Sequence, residues 1–130
     1  VVLGVDLRHQ DGDGLKDLEG RITRLAEEIC RTSGLKFSCR LLADFDPVPM
    51  AEHIMEAIQE SCEELGIACM PVFAGAGHDT TAMSRLAPAG MIFVPSVAGL
   101  SHCPEEFTAL EDIVRGARVL VKTAARLSVR

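Results

Sequence analysis

Two prolines within three residues, in the stretch Asp46-Pro47-Val48-Pro49, constrain this chain more than any other feature of its sequence. Proline lacks a backbone N–H and has a fixed φ angle, so the stretch fits neither a helix interior nor a sheet interior. Patterns of regular secondary structure lie on both sides of it. We therefore predict a boundary here, with one domain over residues 1 to 46 and another over residues 47 to 130.

The residues before the prolines have the pattern strand, helix, strand. Residues 1 to 8, VVLGVDLR, are rich in β-branched side chains and alternate near their end, with Asp6 and Arg8 on one face. Apolar residues then recur at helical spacing, from an N-cap predicted at Asp13 to a stop at Ser33-Gly34. Residues 35 to 45 alternate again. This order predicts a β-α-β unit whose helix covers one face of a sheet.

The residues after the prolines alternate between helical and extended patterns. A helix is predicted from about Met50 to Leu65, closed by Gly66, and a final amphipathic helix from Leu110 to Val129. Between them stand the apolar run IACMPVFAGAG, a short helix in HDTTAMSRLA, and GMIFVPSV, which reads as a continuous buried strand. We therefore predict an α/β (α+β) fold.

Composition excludes several classes of function. Nearly half of the 130 residues are apolar, which is enough for a globular core, and the net charge of −6 without a basic run argues against nucleic-acid binding. No apolar stretch approaches the roughly 20 residues that span a bilayer. The five cysteines lack a C-x-x-C spacing, which favours reduced thiols and a cytoplasmic location. Because the chain starts without methionine inside a predicted strand, we expect a part of a longer protein.

Two loops follow predicted strands, and ligands of α/β proteins gather at the carboxyl ends of strands. In GAGHDTT, Gly75 and Gly77 allow positive φ angles or a close approach of the backbone, and a helix starting near Asp79 offers N–H groups to an oxygen ligand. The alternative is a plain strand-to-helix turn with Asp79 as N-cap and His78 bonded locally. On spacing alone this alternative is favoured.

The second loop, GLSHCPEE, places His102 between a strand end and Pro104. A ring fixed in direction suits a metal ligand or a general acid, and Glu105 or Glu106 is placed to orient it. The alternative is a histidine that only packs in a loop. A zinc site normally needs at least three protein ligands. The other histidines, His9, His53 and His78, are scattered along the chain, so no complete metal site is evident.

Two further residues have competing interpretations. Cys103 is a possible nucleophile with His78 or His102 as its base, although adjacent cysteine and histidine side chains seldom face each other. Arg8, at a predicted strand end, is either a surface charge or a reader of carboxylates, which guanidinium binds in a two-pronged geometry.

Taken in order, the motifs VDLRHQD, GAGHDTTAMSRLAPAGMIFVPS and GLSHCPEEFT, followed by a helix that opens with Glu111-Asp112, resemble one family. The chain resembles the N-carbamoyl-L-amino acid amidohydrolases and their allantoate amidohydrolase and β-ureidopropionase relatives, which are metal-dependent hydrolases of the aminoacylase and carboxypeptidase group. The resemblance covers essentially the whole chain and corresponds to the C-terminal third of such an enzyme.

The resemblance implies a fold and a set of roles. Residues 1 to 46 would be the closing β-α-β of a ferredoxin-like lid that also forms a homodimer, and residues 47 to 130 the C-terminal α/β part of a zinc-peptidase-like catalytic domain. His102 would bind one of two divalent metal ions, zinc or manganese. Arg8 would bind the substrate carboxylate and reach the active site of the partner subunit, and the G-A-G-H loop would contact the substrate through Gly75, Ala76, Gly77 and His78.

The chain also departs from the family pattern. Cys103 stands where asparagine is common, and Phe107 where tyrosine is common. The remaining metal ligands and the general base have no counterpart in these residues. We therefore expect a part of an amidohydrolase that cleaves an N-carbamoyl or ureido group of a small carboxylate and is inactive by itself; the alternative is a stand-alone, non-catalytic module that dimerises or binds a small carboxylate.

Overall fold

The computed structural model describes residues 1 to 129, and the regular secondary structure of this range is helical throughout. Four α-helices and one 3-10 helix follow each other as α1 (Gly12–Thr32), α2 (Glu52–Leu65), α3 (Asp79–Met83), the 3-10 helix (Val97–Gly99) and α4 (Leu110–Leu127). None of these helices is both long enough and apolar enough to cross a membrane.

The predicted α/β fold, with its β-α-β lid, is wrong. No strand is present in the described range. The segments without regular secondary structure include residues 1 to 9, 35 to 45, 67 to 75 and 88 to 96. The alternating pattern favours an extended backbone, but an extended segment becomes a strand only when a second backbone pairs with it. Within residues 1 to 129, no backbone hydrogen bond joins two of these segments, and side chains such as Leu42 and Phe45 are exposed.

The chain divides into two compact units. Unit 1 consists of Val1–Pro49 and Phe73–Ala76, and unit 2 consists of Met50–Val72 and the residues from Gly77 onward. The short segment Phe73–Ala76 therefore belongs with the N-terminal residues, although it lies far from them in sequence.

Unit 1 is organised around α1. Its N-cap is Asp11, whose side chain accepts a hydrogen bond of 2.8 Å from the Gly14 N–H; the predicted N-cap, Asp13, lies in the first turn instead. This bond lowers the pKa of Asp11, because it favours the ionised carboxylate. The predicted C-terminal stop is confirmed by Ser33 as C-cap and by Gly34 at φ 67°. No α1 residue is buried, so the expected packing on a sheet is also wrong.

Unit 2 is organised around the contact between α2 and α4. All fully buried residues in the described range belong to these two helices: Ala57, Ser61, Cys62, Val119 and Thr123. Small side chains on α2 allow α4 to approach closely, and the Ser61 hydroxyl is satisfied by the Ala57 carbonyl at 2.7 Å. Gly66, with φ 64°, ends α2 as its sequence predicts.

Charged side chains bridge the same two helices. Arg126 on α4 donates to the carboxylate of Glu60 at 2.7 Å and also to that of Glu64, which Lys122 contacts as well. The hydrogen bond from Lys122 and the charge of Arg126 lower the pKa of Glu64. These pairs fix the C-terminal half of α2 against the last turns of α4.

Gly90 lies against α2, and the structure leaves no room for a side chain there. A Cβ atom at this position would lie 2.5 Å from Cγ2 of Ile54, a stiff β-branched side chain. We predict that Gly90→Ala lowers the free energy of unfolding by about 1 to 3 kcal/mol, as overpacking does. Urea denaturation measures this, with Gly4→Ala as control because a Cβ at Gly4 meets nothing within 4 Å. Equal midpoints for the two variants would contradict the packing described.

The thiol of Cys62 generates a pH-dependent prediction. Burial, helped by the neighbouring Cys69, raises the pKa of Cys62 from 9.0 to about 11. The unfolded chain loses this proton near pH 9 and the folded chain near pH 11, so the thiol's contribution to stability is complete below pH 9 and is lost on approaching pH 11. The loss is on the order of 2 kcal/mol.

The measurement is the free energy of unfolding at several pH values between 8 and 11.5 for the parent and for Cys62→Ala. We expect a shallower decline in the variant, whatever its absolute stability, because the titrating thiol is gone. Cys39→Ala, at an exposed cysteine, is the control and keeps the parent slope. Parallel curves for parent and Cys62→Ala would rule out this role of the thiol.

Candidate functional site

Arg8 and Gly75 meet within unit 1. The Arg8 Nη1 atom donates a hydrogen bond of 2.7 Å to the backbone carbonyl of Gly75, across 67 positions of sequence. Two of the motifs singled out in the sequence are therefore joined by a direct contact within one chain, whereas the resemblance implies that Arg8 reaches the active site of the partner subunit. The loop contributes a carbonyl oxygen at this point, so it binds the arginine itself.

Asp6 holds the same guanidinium from another side. Arg8 donates from Nε to Asp6 Oδ1 at 3.0 Å and from Nη2 to Asp6 Oδ2 at 2.6 Å, which is the two-pronged pairing of guanidinium with carboxylate. The pairing lowers the pKa of Asp6 and raises that of Arg8, because each hydrogen bond favours the charged form of both groups. Both side chains remain well exposed to solvent.

The GAGHD loop differs from its prediction in detail. Neither Gly75 nor Gly77 takes a positive φ angle. The N-cap of α3 is His78 rather than Asp79, and the side chain of His78 makes no capping hydrogen bond. Its ring packs edge-on against Phe93, with the ring centroids 5.4 Å apart. His78 is thus oriented by an aromatic contact within unit 2.

His102 has an unusual backbone. Its φ angle is 57°, in the left-handed region that residues with side chains seldom occupy, and Ala98 in the same loop is also left-handed at 53°. Such a conformation costs on the order of 1 kcal/mol and is frequent at functional sites. The side chain is exposed, and neither ring nitrogen bonds to another residue of the described range. The ring is therefore available to an external ligand.

Glu106 fixes the backbone at His102. Its Oε2 atom accepts a hydrogen bond of 2.8 Å from the His102 N–H, and its own N–H donates to the Cys103 carbonyl at 3.1 Å. At the base of the loop, the Val97 N–H donates to the Phe107 carbonyl at 2.8 Å. The acid thus orients the main chain of His102, whereas the sequence suggested a bond to its ring.

The proposed alternatives find little geometric support. No hydrogen bond in residues 1 to 129 joins the Cys103 thiol to His78 or His102, as a nucleophile–base pair requires. Within that range no three histidine, cysteine, aspartate or glutamate side chains are grouped to hold a metal ion. Since a zinc site needs about three protein ligands, the described residues do not fit a complete metal centre.

An apolar groove of 840 Å³ lies along α4 and contains none of the predicted site residues. Its walls combine apolar side chains, such as Leu65, Val114 and Val121, with the basic side chains of Arg118, Lys122 and Arg126, and the last two are paired with glutamates of α2. The chemically competent residues are those of the loops, so the candidate site is defined by the loops.

Sequence reasoning missed the roles of Asp6 and Phe93. A signal for Asp6 was present, because residues two apart on an extended backbone lie on the same face. The contact of His78 with Phe93 joins residues 15 apart in sequence, and no local sequence pattern predicts such a contact.

The amino-acid sequence of the chain matches a known protein family. A model of peptidase family M20/M25/M40 matches residues 8 to 126, and the chain belongs to this family. The family generally depends on divalent metal ions.

Individual relatives narrow the comparison. The chain is 34% identical over 128 residues to an allantoate amidohydrolase of Bacillus subtilis, covering 98% of this chain and 31% of the relative. It is 37% identical over 120 residues to an N-carbamoyl-L-amino-acid amidohydrolase of Rhizobium meliloti, covering 92% and 29%. A crystal structure of AtUAH in complex with glyoxylate matches with a TM-score of 0.72 and 31% identity, over 89% of this chain and 28% of that one.

The chain thus spans about a third of the length of the curated relatives it matches. These comparisons confirm the resemblance recognised in the sequence. Roles of individual residues stay predictions.

The hydrogen bond between Glu106 and the His102 N–H generates a prediction that is independent of catalysis. Glu106→Ala removes the acceptor, so we expect the His102 amide to exchange its hydrogen with solvent about 10-fold faster. Glu106→Gln keeps a side-chain oxygen and retains most of the protection. NMR-detected hydrogen exchange measures the effect, and Glu105→Ala serves as control for an exposed neighbouring acid. Unchanged exchange in Glu106→Ala would show that this bond does not hold the loop.

Proposed function

We propose that this chain forms part of a metal-dependent amidohydrolase that cleaves a non-peptide C–N bond, in an N-carbamoyl or ureido group, of a small carboxylate. Family membership and the names of the relatives support this proposal. Hydrolysis of a carbamoyl group releases ammonia and carbon dioxide and frees the amine.

The contact between Arg8 and Gly75 is the observation that carries the proposal. It joins the arginine proposed to bind a carboxylate to the loop proposed to contact the substrate, with 2.7 Å between Nη1 and the carbonyl oxygen. A guanidinium held at such a loop binds a carboxylate by paired N–H donors. Gly75, Ala76, Gly77 and His78 are each proposed to contact the substrate.

His102 is proposed as a ligand of one of two divalent ions, zinc or manganese. Its left-handed backbone and exposed ring support this role. Because residues 1 to 129 hold no complete group of ligands, the other ligands and the general base lie outside them in this proposal. The chain alone then binds no metal stably and does not turn over substrate.

The organisation of the protein belongs to the same proposal. Residues 1 to 46 form part of a lid and dimerisation domain, and residues 47 to 130 part of the catalytic domain. The protein acts in the cytoplasm as a homodimer, with a small-molecule substrate.

A second candidate is a non-catalytic module that binds a small carboxylate. One observation favours it. Asp6 and Gly75, which hold Arg8, both lie within the described residues, whereas a complete set of metal ligands does not. This module needs no metal to bind its ligand.

One experiment separates the two candidates. Metal content and hydrolysis of an N-carbamoyl amino acid are measured for residues 1 to 130 alone and for the full-length enzyme that contains them. Metal and turnover in the longer protein only support the amidohydrolase. Stoichiometric metal in the short chain would show that this chain contains further metal ligands besides His102. Binding of the N-carbamoyl amino acid by both proteins, without turnover, supports the module.

Arg8 provides the sharpest test of substrate binding. We predict that Arg8→Lys lowers kcat/KM for an N-carbamoyl amino acid about 10- to 100-fold, almost as much as Arg8→Ala, because an ammonium cannot present two parallel N–H donors to a carboxylate. Steady-state kinetics on the full-length enzyme give the values. Arg21→Lys, at an exposed arginine of α1, is the matched control. Full activity of Arg8→Lys would exclude the two-pronged contact.

A further inference from the structure

We propose that Asp6 is a positioning residue, which holds the Arg8 guanidinium by one edge so that one N–H of Nη1 and one N–H of Nη2 face an incoming carboxylate. The inference rests on the proposed function and deepens it, because it assigns the origin of selectivity for carboxylates to a residue pair within this chain.

A count of donors supports the proposal. A guanidinium has five N–H bonds. Asp6 accepts from Nε and from Nη2, and the Gly75 carbonyl accepts from Nη1. One N–H on Nη1 and one on Nη2 are left, which is the number of donors that two-pronged binding of a carboxylate uses.

Asp6 is suited to hold the arginine without blocking it. Asp6 and Arg8 are two residues apart, and their side chains meet directly in two hydrogen bonds. Both Asp6 oxygens contact the Nε–Nη2 edge, so Asp6 itself does not occupy the edge between Nη1 and Nη2. The lowered pKa of Asp6 keeps both oxygens ionised as acceptors near neutral pH.

The pair is poorly suited to a purely structural role. The side chains of Arg8 and Asp6 are 56% and 67% exposed, and exposed ion pairs contribute little to the stability of a fold. Arg8 is otherwise a flexible side chain with many rotamers, and fixing it before the ligand arrives removes an entropic cost of binding. Positioning is therefore the effect that the contact can exert.

The test uses the full-length enzyme and two substrates, an N-carbamoyl amino acid and its carboxamide analogue. Asp6→Asn exchanges one acceptor oxygen for an N–H₂ group that opposes the guanidinium donors. We expect KM for the carboxylate substrate to rise about 10-fold with kcat little changed, and kcat/KM for the carboxamide to stay at the parent value. Asp6→Glu keeps both oxygens and restores part of the affinity. Asp17→Asn removes an equally exposed carboxylate of α1 and is the matched control.

Each outcome decides a different statement. If KM for the carboxylate falls in Asp6→Asn, Asp6 competes with the substrate and the proposal is overturned. If Arg8→Ala raises this KM and Asp6→Asn leaves it unchanged, the proposed function stands and the positioning role fails. If the parent enzyme does not prefer the carboxylate over the carboxamide, and Arg8→Ala changes kcat/KM for neither substrate, the proposed function itself fails. An equal loss on both substrates in Asp6→Asn assigns Asp6 to stability and also overturns the proposal.

Discussion

The contact between α2 and α4 is the interaction on which burial in this chain depends. All fully buried residues of the described range lie on these helices, and the side chains on α2 at this contact are small. Close approach then brings the ends of the helices near enough for Arg126 to reach two glutamates of α2. A core of this size is stable only if the approach is preserved, because few other apolar groups are removed from water.

The same helices support the segment that leads to the His102 loop. The Ala51 N–H at the start of α2 donates to the Ala89 carbonyl at 2.8 Å, and Gly90 lies against Ile54. A few residues on, Val94 packs at Gly116 of α4, where a Cβ would come within 2.5 Å. Two contacts through glycines therefore place the segment from Ala89 to Val94 on the helix pair. The left-handed backbone of His102 follows this fixed segment, which explains how its strain can be sustained.

The helices could be predicted from the sequence because the signals that define them are local. Gly34 and Gly66 take left-handed φ angles at the ends of α1 and α2, as the sequence predicts, because such a residue at a helix end needs only its own φ angle. The extended segments were assigned as strands, and this failed because a strand depends on a distant backbone that no local pattern specifies. The same limit applies to the candidate site. Alternation places Asp6 beside Arg8, whereas the bond from Arg8 to Gly75 spans 67 positions and became visible only in the structure.

The role of Gly75 illustrates how the structure changes the meaning of a motif. A glycine in such a loop suggests a positive φ angle or a lack of space, yet Gly75 has no positive φ, and a Cβ there would lie 3.7 Å from Cδ of Arg8, an ordinary contact. Its bond to Arg8 uses the backbone carbonyl, which every residue possesses. Neither the conformation of the loop nor the arginine therefore requires glycine at this position. In the proposed function a side chain at this position would stand beside Nη1 of Arg8, whose N–H donors the substrate carboxylate must reach.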